Sequence, residues 1–195
     1  MGYGYPLGVD LPAEGRGFIP NDRFYNRFYG EGHWSANTII SVAIGQGEIL
    51  ATPLQIANLC ATVANRGWFI TPHVIKEIQD TVIDEQYRTR RIPTIDERHY
   101  HEVAQGMRMA VTGGTCRLAN LPDIEVAGKT GTAQNPHGKD HSAFMGFAPY
   151  EDPQIAVAVY VENAGFGATF GVPIGSLVIE KYLTCLLYTS PSPRD

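Results

Sequence analysis

Val126-Ala127-Gly128-Lys129-Thr130-Gly131-Thr132-Ala133-Gln134 sets one lysine among small residues in a run otherwise patterned as a β-strand. Only four of the 15 basic residues are lysines: Lys76, Lys129, Lys139 and Lys181. An ammonium group inside a strand is costly unless it meets an anion or a hydrogen-bonding partner. Glycines on either side let a ligand or a second backbone approach closely, and the Thr130 and Thr132 hydroxyls add neutral donors. Together these groups describe a place for a carboxylate-bearing, peptide-like ligand lying along the strand. Taken by itself, Lys-Thr-Gly reads more plainly as a strand with an exposed edge lysine. A phosphate loop is excluded. It needs a second glycine where Asp123 stands, and a helix directly afterwards, which Gly131, Thr132 and Pro136 oppose.

Outward from this run the pattern stays β, with Ile124 to Gln134, Ala143 to Ala148 and Ile155 to Val161 as strands. Asn135-Pro136-His137-Gly138 and Pro149 to Pro153 separate them, and links this short favour antiparallel hairpins. Upstream, Thr52 can cap a helix that opens on Pro53, repeats Leu54, Ala57, Ala61 and Ala64, and stops at Gly67 after Arg66. Val74 to Ile78 alternates like a strand. A second helix is expected from about Asp96 to Val111, capped by Thr94 or Asp96, buried at Val103, Met107 and Ala110, and ended by Gly113-Gly114. A last helix from Pro173 to Leu183 would cover the sheet. Residues 1–32 are rich in Gly, Pro and aromatics and read as a long loop that needs something earlier in the chain to pack on. Residues 184–195 continue neither helix nor sheet and read as a tail, either disordered or foreign to the fold. The expected class is α+β: an antiparallel sheet flanked by helices over residues 1–183, incomplete on its N-terminal side.

Of the 195 residues, 44% are hydrophobic and 18% charged, a balance that excludes a disordered chain. A net charge of -5 leaves no basic footprint, so nucleic acid is not an expected partner. No stretch approaches the roughly 20 apolar residues of a membrane helix. Met1 leads straight into Gly-Tyr-Gly-Tyr-Pro without a leader pattern, which fits a cytosolic protein or a chain whose true start lies upstream. Cys60, Cys116 and Cys185 show no paired spacing, and Cys60 falls in an apolar helical pattern as a buried thiol. Cysteine therefore leaves the redox compartment open.

Other polar groups carry less. His99 and His101 stand two apart on a helix and point to different faces. His137, Asp140 and His141 fall in a turn and the start of a strand and are expected as solvated loop residues. No set has tetrahedral metal spacing, so no metal is expected. Arg88, Arg90 and Arg91 form a short basic run expected to be solvated. The aromatics from Phe24 to Tyr29, with Arg23 and Arg27, are expected to pack rather than to bind glycan or a partner.

The Lys129 strand gains its meaning from its company. Gly8-Val9-Asp10-Leu11-Pro12 is followed by Ile44-Gly45-Gln46-Gly47-Glu48, which runs on to Thr52-Pro53-Leu54-Gln55-Ile56-Ala57. Ala64-Asn65-Arg66-Gly67, Gly113-Gly114-Thr115 and His141 to Pro149 complete the set. On these motifs the chain, from about Tyr3 to Leu183, resembles the penicillin-binding transpeptidases, whose signatures are Ser-x-x-Lys, Ser-x-Asn or Ser-Asp-Asn, and Lys-Thr-Gly. The Ile-Gly-Gln-Gly form is similar to the class B enzymes of cell elongation.

The resemblance implies the penicillin-binding/β-lactamase-like fold and a role for each matching position. Lys129 would stabilise charge and position the catalytic hydroxyls. Thr130, Gly131 and Thr132 would line the substrate, the two hydroxyls bonding the terminal carboxylate of a peptidoglycan stem peptide ending in D-Ala-D-Ala, or that of a β-lactam. The Thr132 N–H would be one of two oxyanion donors. It also implies no metal or organic cofactor, membrane proteins of the elongation machinery as partners, and a periplasmic domain of a protein anchored in the inner membrane.

The departure is equally informative. None of Ser35, Ser41, Ser142, Ser176, Ser190 and Ser192 has a lysine three residues later. Ser35-Ala36-Asn37 matches Ser-x-Asn but lies just before Ile-Gly-Gln-Gly, where the family's second motif does not fall, so the match reads as coincidental. Acyl transfer needs a nucleophile beside its base. The expectation is a C-terminal part of a D,D-transpeptidase domain whose serine lies upstream, inactive by itself. A non-catalytic β-lactam sensor, or a related serine β-lactamase or D,D-carboxypeptidase, are the alternatives.

Overall fold

The computed structural model describes residues 1–189, and the chain forms two compact units. Met1–Gln55 and Ile70–Thr89 make the first; Ile56–Phe69 and residues 90–189 make the second.

The first unit contains two helices, α1 (Asp22–Tyr29) and α2 (Ala36–Ala43). α1 falls inside the stretch expected to be loop. It forms because the Asn21 side chain accepts the Phe24 N–H, with Asp22 in the first turn and Arg27 in the last matching the helix dipole. Phe24 stacks on Phe28 and Tyr25 on Tyr29, and of these helix residues only Tyr25 is buried. Ser35 opens α2 without a side-chain cap bond. Carboxylates pin the surrounding chain: Glu14 accepts the N–H groups of Leu7, Gly8 and Val9, and Asp10 those of Val74 and Ile75. The expected Val74 to Ile78 strand does not form. Asp10 takes the amides a ladder would need, and Ile78 makes only an isolated bridge to Thr81. Helix α3 (Pro53–Ala64) starts as expected at Thr52. The Gln55 N–H donates to Thr52 Oγ1 and the Thr52 N–H to Gln55 Oε1, a reciprocal capping box.

The second unit is built on a three-stranded antiparallel sheet, β1 (Ala127–Ala133), β2 (His141–Ala148) and β3 (Ile155–Val161), in that spatial order. Lys129 lies opposite Met145, Thr130 opposite Phe144 and Thr132 opposite Ser142. Strand alternation divides the core between two faces. On one face Ala127, Met145 and Phe147 pack with Cys60, Val63 and Ala64 of α3, and with Tyr100, Ala104 and Met107 of α4 (Glu97–Thr112). On the other, Phe144, Val157 and Val159 pack with Val172 and Ile179 of α5 (Gly171–Thr189). Asp96 caps α4 by accepting the Arg98 N–H. The buried stripe of α4 is Tyr100, Ala104, Met107 and Val111, while Val103 is exposed; the helix is rotated from the expected phase because Tyr100 enters the core.

Phe144 explains much of the glycine content. A Cβ on Gly128, Gly146 or Gly175 would fall 2.6, 2.5 or 2.4 Å from its ring. Gly128 therefore serves packing, whereas Gly131 is exposed. α5 runs past Leu183, where the sequence ends it, to Thr189. Thr184 to Thr189 contains no glycine or proline, and Pro191 is the first residue that opposes helix. Residues 190–195 of the expected tail lie outside the described residues.

Candidate active site

β1 is an edge strand of the described sheet. Its alternation sends Lys129 and Gly131 to the α3/α4 face and Thr130 and Thr132 to the α5 face. Lys129 is exposed, and its Nζ donates to the Thr130 carbonyl at 2.7 Å. Among the described residues no carboxylate lies within ion-pair distance of that ammonium. The charge is thus presented at the strand rather than neutralised inside the protein.

Thr130 Oγ1 lies 2.8 Å from Thr115 Oγ1, just beyond the end of α4. Directly beside them Cys116 is fully buried. Burial pushes its thiol up, against a smaller opposing pull from the Thr115 and Thr130 hydroxyls and the Lys129 charge. Thr132 Oγ1 accepts the Gly167 N–H at 3.3 Å, from the loop between β3 and α5. Lys129, Thr130, Gly131 and Thr132 are therefore contiguous on one accessible strand, with hydroxyls on one face and an ammonium on the other. Such a strand can hold a carboxylate-bearing ligand through charge-assisted and neutral hydrogen bonds.

Among the described residues of the second unit, neither serine supplies an activated nucleophile to it. Ser142 is buried, its Oγ donating to Phe166 O and accepting from Gly171 N. Ser176 is buried as well. Cys60 is sealed in the core, its thiol pushed up to about 12 by burial.

Motif reading misses that Thr115, Cys116, Ser142 and Gly167 gather around this strand. In sequence Gly113-Gly114-Thr115 marks a helix stop and one of the matching motifs, but its approach to Thr130 is tertiary. Other candidates resolve into structure. His141 Nδ1 accepts the Asn163 N–H, and its ring stacks on Tyr160. Asp140 Oδ1 accepts the Asn135 N–H. Asp140 thus holds the β1–β2 connection and His141 ties the start of β2 to the turn after β3, rather than sitting free in solvent. Arg90 is not simply solvated either: its guanidinium lies 4.1 Å from the Trp68 ring centre. His101 meets only Glu97, at 3.9 Å. Among the described residues no cluster of three or more potential metal ligands occurs.

The penicillin binding protein transpeptidase domain family matches residues 1–178. The chain belongs to the family of penicillin-binding protein transpeptidase domains. It is 34% identical over 190 residues to the peptidoglycan D,D-transpeptidase MrdA of Acinetobacter baumannii, covering 87% of this chain and 28% of that protein. Among solved structures it is similar to Pseudomonas aeruginosa PBP2 in complex with WCK 5153, with a TM-score of 0.81 and 34% identity over 93% of this chain and 40% of the other. The Helicobacter pylori PBP2 complex with MreC gives a TM-score of 0.80 at 28% identity, over 96% of this chain and 34% of the other. The chain thus spans less than half the length of each of these relatives.

Proposed function

We propose that this chain is the C-terminal part of the transpeptidase domain of a peptidoglycan D,D-transpeptidase acting in cell elongation. The observation that carries the proposal is the edge strand itself, which leaves Lys129 exposed and Thr130 and Thr132 together on one face. In the parent protein a serine attacks the carbonyl of the D-Ala-D-Ala bond and D-Ala leaves. An amine of a second stem peptide then takes the acyl group. Lys129 stabilises the developing charge and orients the reacting hydroxyls. The Thr130 and Thr132 hydroxyls, with exposed Gly131 between them, bind the terminal carboxylate, and the Thr132 N–H donates to the oxyanion. One such donor is worth on the order of 10²–10³ in rate.

The serine and its lysine base belong to a preceding segment. The outer edge of β3 supports this, since it has no strand beside it among the described residues. Leu177 and Val178 of α5 are also left exposed. β-Lactams acylate the same serine, and the relative solved with MreC points to membrane proteins of the elongation machinery as partners. The parent is read as anchored in the inner membrane with this domain in the periplasm. Among the described residues no helix is long and apolar enough to cross a membrane. Sequencing the coding region upstream of residue 1 tests the proposal: a Ser-x-x-Lys motif followed by Ser-x-Asn is expected, and an upstream region with neither overturns it.

A further inference from the structure

We infer that Ser142 is a positioning residue for Thr132, acting through the loop between β3 and α5; this rests on the transpeptidase reading above. Ser142 lies directly opposite Thr132 in the β1–β2 register and is fully buried. A buried hydroxyl is costly unless its donor and acceptor capacities are used. Here both are used on one loop. Oγ donates to the Phe166 carbonyl at 3.0 Å and accepts the Gly171 N–H at 3.0 Å.

These two anchors straddle Gly167, whose own N–H donates to Thr132 Oγ1 at 3.3 Å. Gly167 is pressed onto the strands: a Cβ there would fall 2.4 Å from Gly131 O and 2.5 Å from Ala143 O. The loop is therefore held against β1 and β2, and Ser142 supplies two of the bonds that hold it. Gly171 is the first residue of α5, so the same hydroxyl also satisfies one of that helix's unpaired amide donors. Without it, Gly171 N loses its partner and Phe166 O keeps only the Thr169 N–H, so the loop is held less firmly against the strands. The Gly167 N–H then no longer holds Thr132 Oγ1 in place.

The structural role and the positioning role separate by ligand. A positioning role affects ligands that present a carboxylate to Thr132 more than ligands that do not. The test measures second-order acylation rate constants of the parent protein for benzylpenicillin and for its methyl ester. It compares wild type with Ser142→Ala, Ser142→Thr and Gly167→Ala. Loss of one hydrogen bond of about 1 kcal/mol predicts that the acid-to-ester rate ratio falls roughly five- to tenfold in Ser142→Ala. Ser142→Thr, which keeps the hydroxyl, restores most of the ratio. Gly167→Ala lowers it as Ser142→Ala does, and carries the test if Ser142→Ala fails to fold. An unchanged ratio, or equal losses for both ligands, overturns the inference while leaving the transpeptidase reading intact. No acylation of the wild type overturns that reading and the inference with it.

Discussion

The hydroxyl of Thr115 lies 2.8 Å from that of Thr130, which couples the segment leaving α4 to the strand that carries Lys129. One of the two hydroxyls donates to the other, so Thr115 restrains the orientation of the Thr130 hydroxyl. Thr115→Val keeps the shape and removes the bond. In the parent protein it is expected to lower the rate of acylation by penicillin about five- to tenfold, the cost of one neutral hydrogen bond. Thr115→Ser is expected to stay near wild type. Equal rates for Thr115→Val and wild type contradict the coupling.

Arg66 ends α3 in a left-handed conformation, φ 58°, where glycine is the usual occupant. Its guanidinium offsets that strain by bonding Val63 O, Ala64 O and Tyr150 O. Arg66→Ala keeps the strain and loses the bonds. It is expected to destabilise the chain by about 2 kcal/mol in urea unfolding. Arg66→Gly loses the same bonds without the strain, and should be more stable than the alanine variant by about 1 kcal/mol. The reverse order of the two variants contradicts this account.

The amides of Ile75 and Val74 hold the Asp10 carboxyl below its ordinary 3.8. A carboxylate held down in the folded state contributes stability that is fully present above 3.8 and lost as pH falls through its folded value. Asp10→Asn should therefore unfold more readily than wild type at near-neutral pH. The gap between the two closes in acid below 3.8. A gap that persists unchanged through that range contradicts the assignment.

Phe144 is almost fully buried against three glycines that leave room for its ring. Phe144→Ala opens a cavity and is expected to cost about 3–5 kcal/mol. Gly146→Ala overpacks the same place and is expected to cost about 1–3 kcal/mol. Thermal unfolding of both variants checks the pair, and a neutral Gly146→Ala contradicts the packing described.

The parts of the fold that were legible in sequence are those whose signals are local. Thr52, Pro53 and Gln55 announce the start of α3, and the alternation around Phe144 and Val157 announces the strands. α1 escaped because its eight residues give too little periodicity, and its aromatic pairs look like loop composition. Val74 to Ile78 misled for the opposite reason: alternation makes a strand only when a partner strand is present, and here Asp10 claims the amides. At the site, Lys129, Thr130 and Thr132 were readable because they share one strand. Thr115, Ser142 and Gly167 were not, because their contacts with that strand depend on how α4, β2 and the loop before α5 pack.

On the proposed function, β1 forms one wall of an acylation site whose serine lies in a preceding segment. Mass-spectrometric mapping of the penicillin-treated parent protein tests it most directly, together with its Lys129→Ala variant. One adduct is expected, on a serine preceding residue 1 of this chain, formed at least about a hundredfold more slowly in Lys129→Ala. An adduct on Ser35, Ser41, Ser142, Ser176, Ser190 or Ser192, or undiminished labelling of Lys129→Ala, would contradict it.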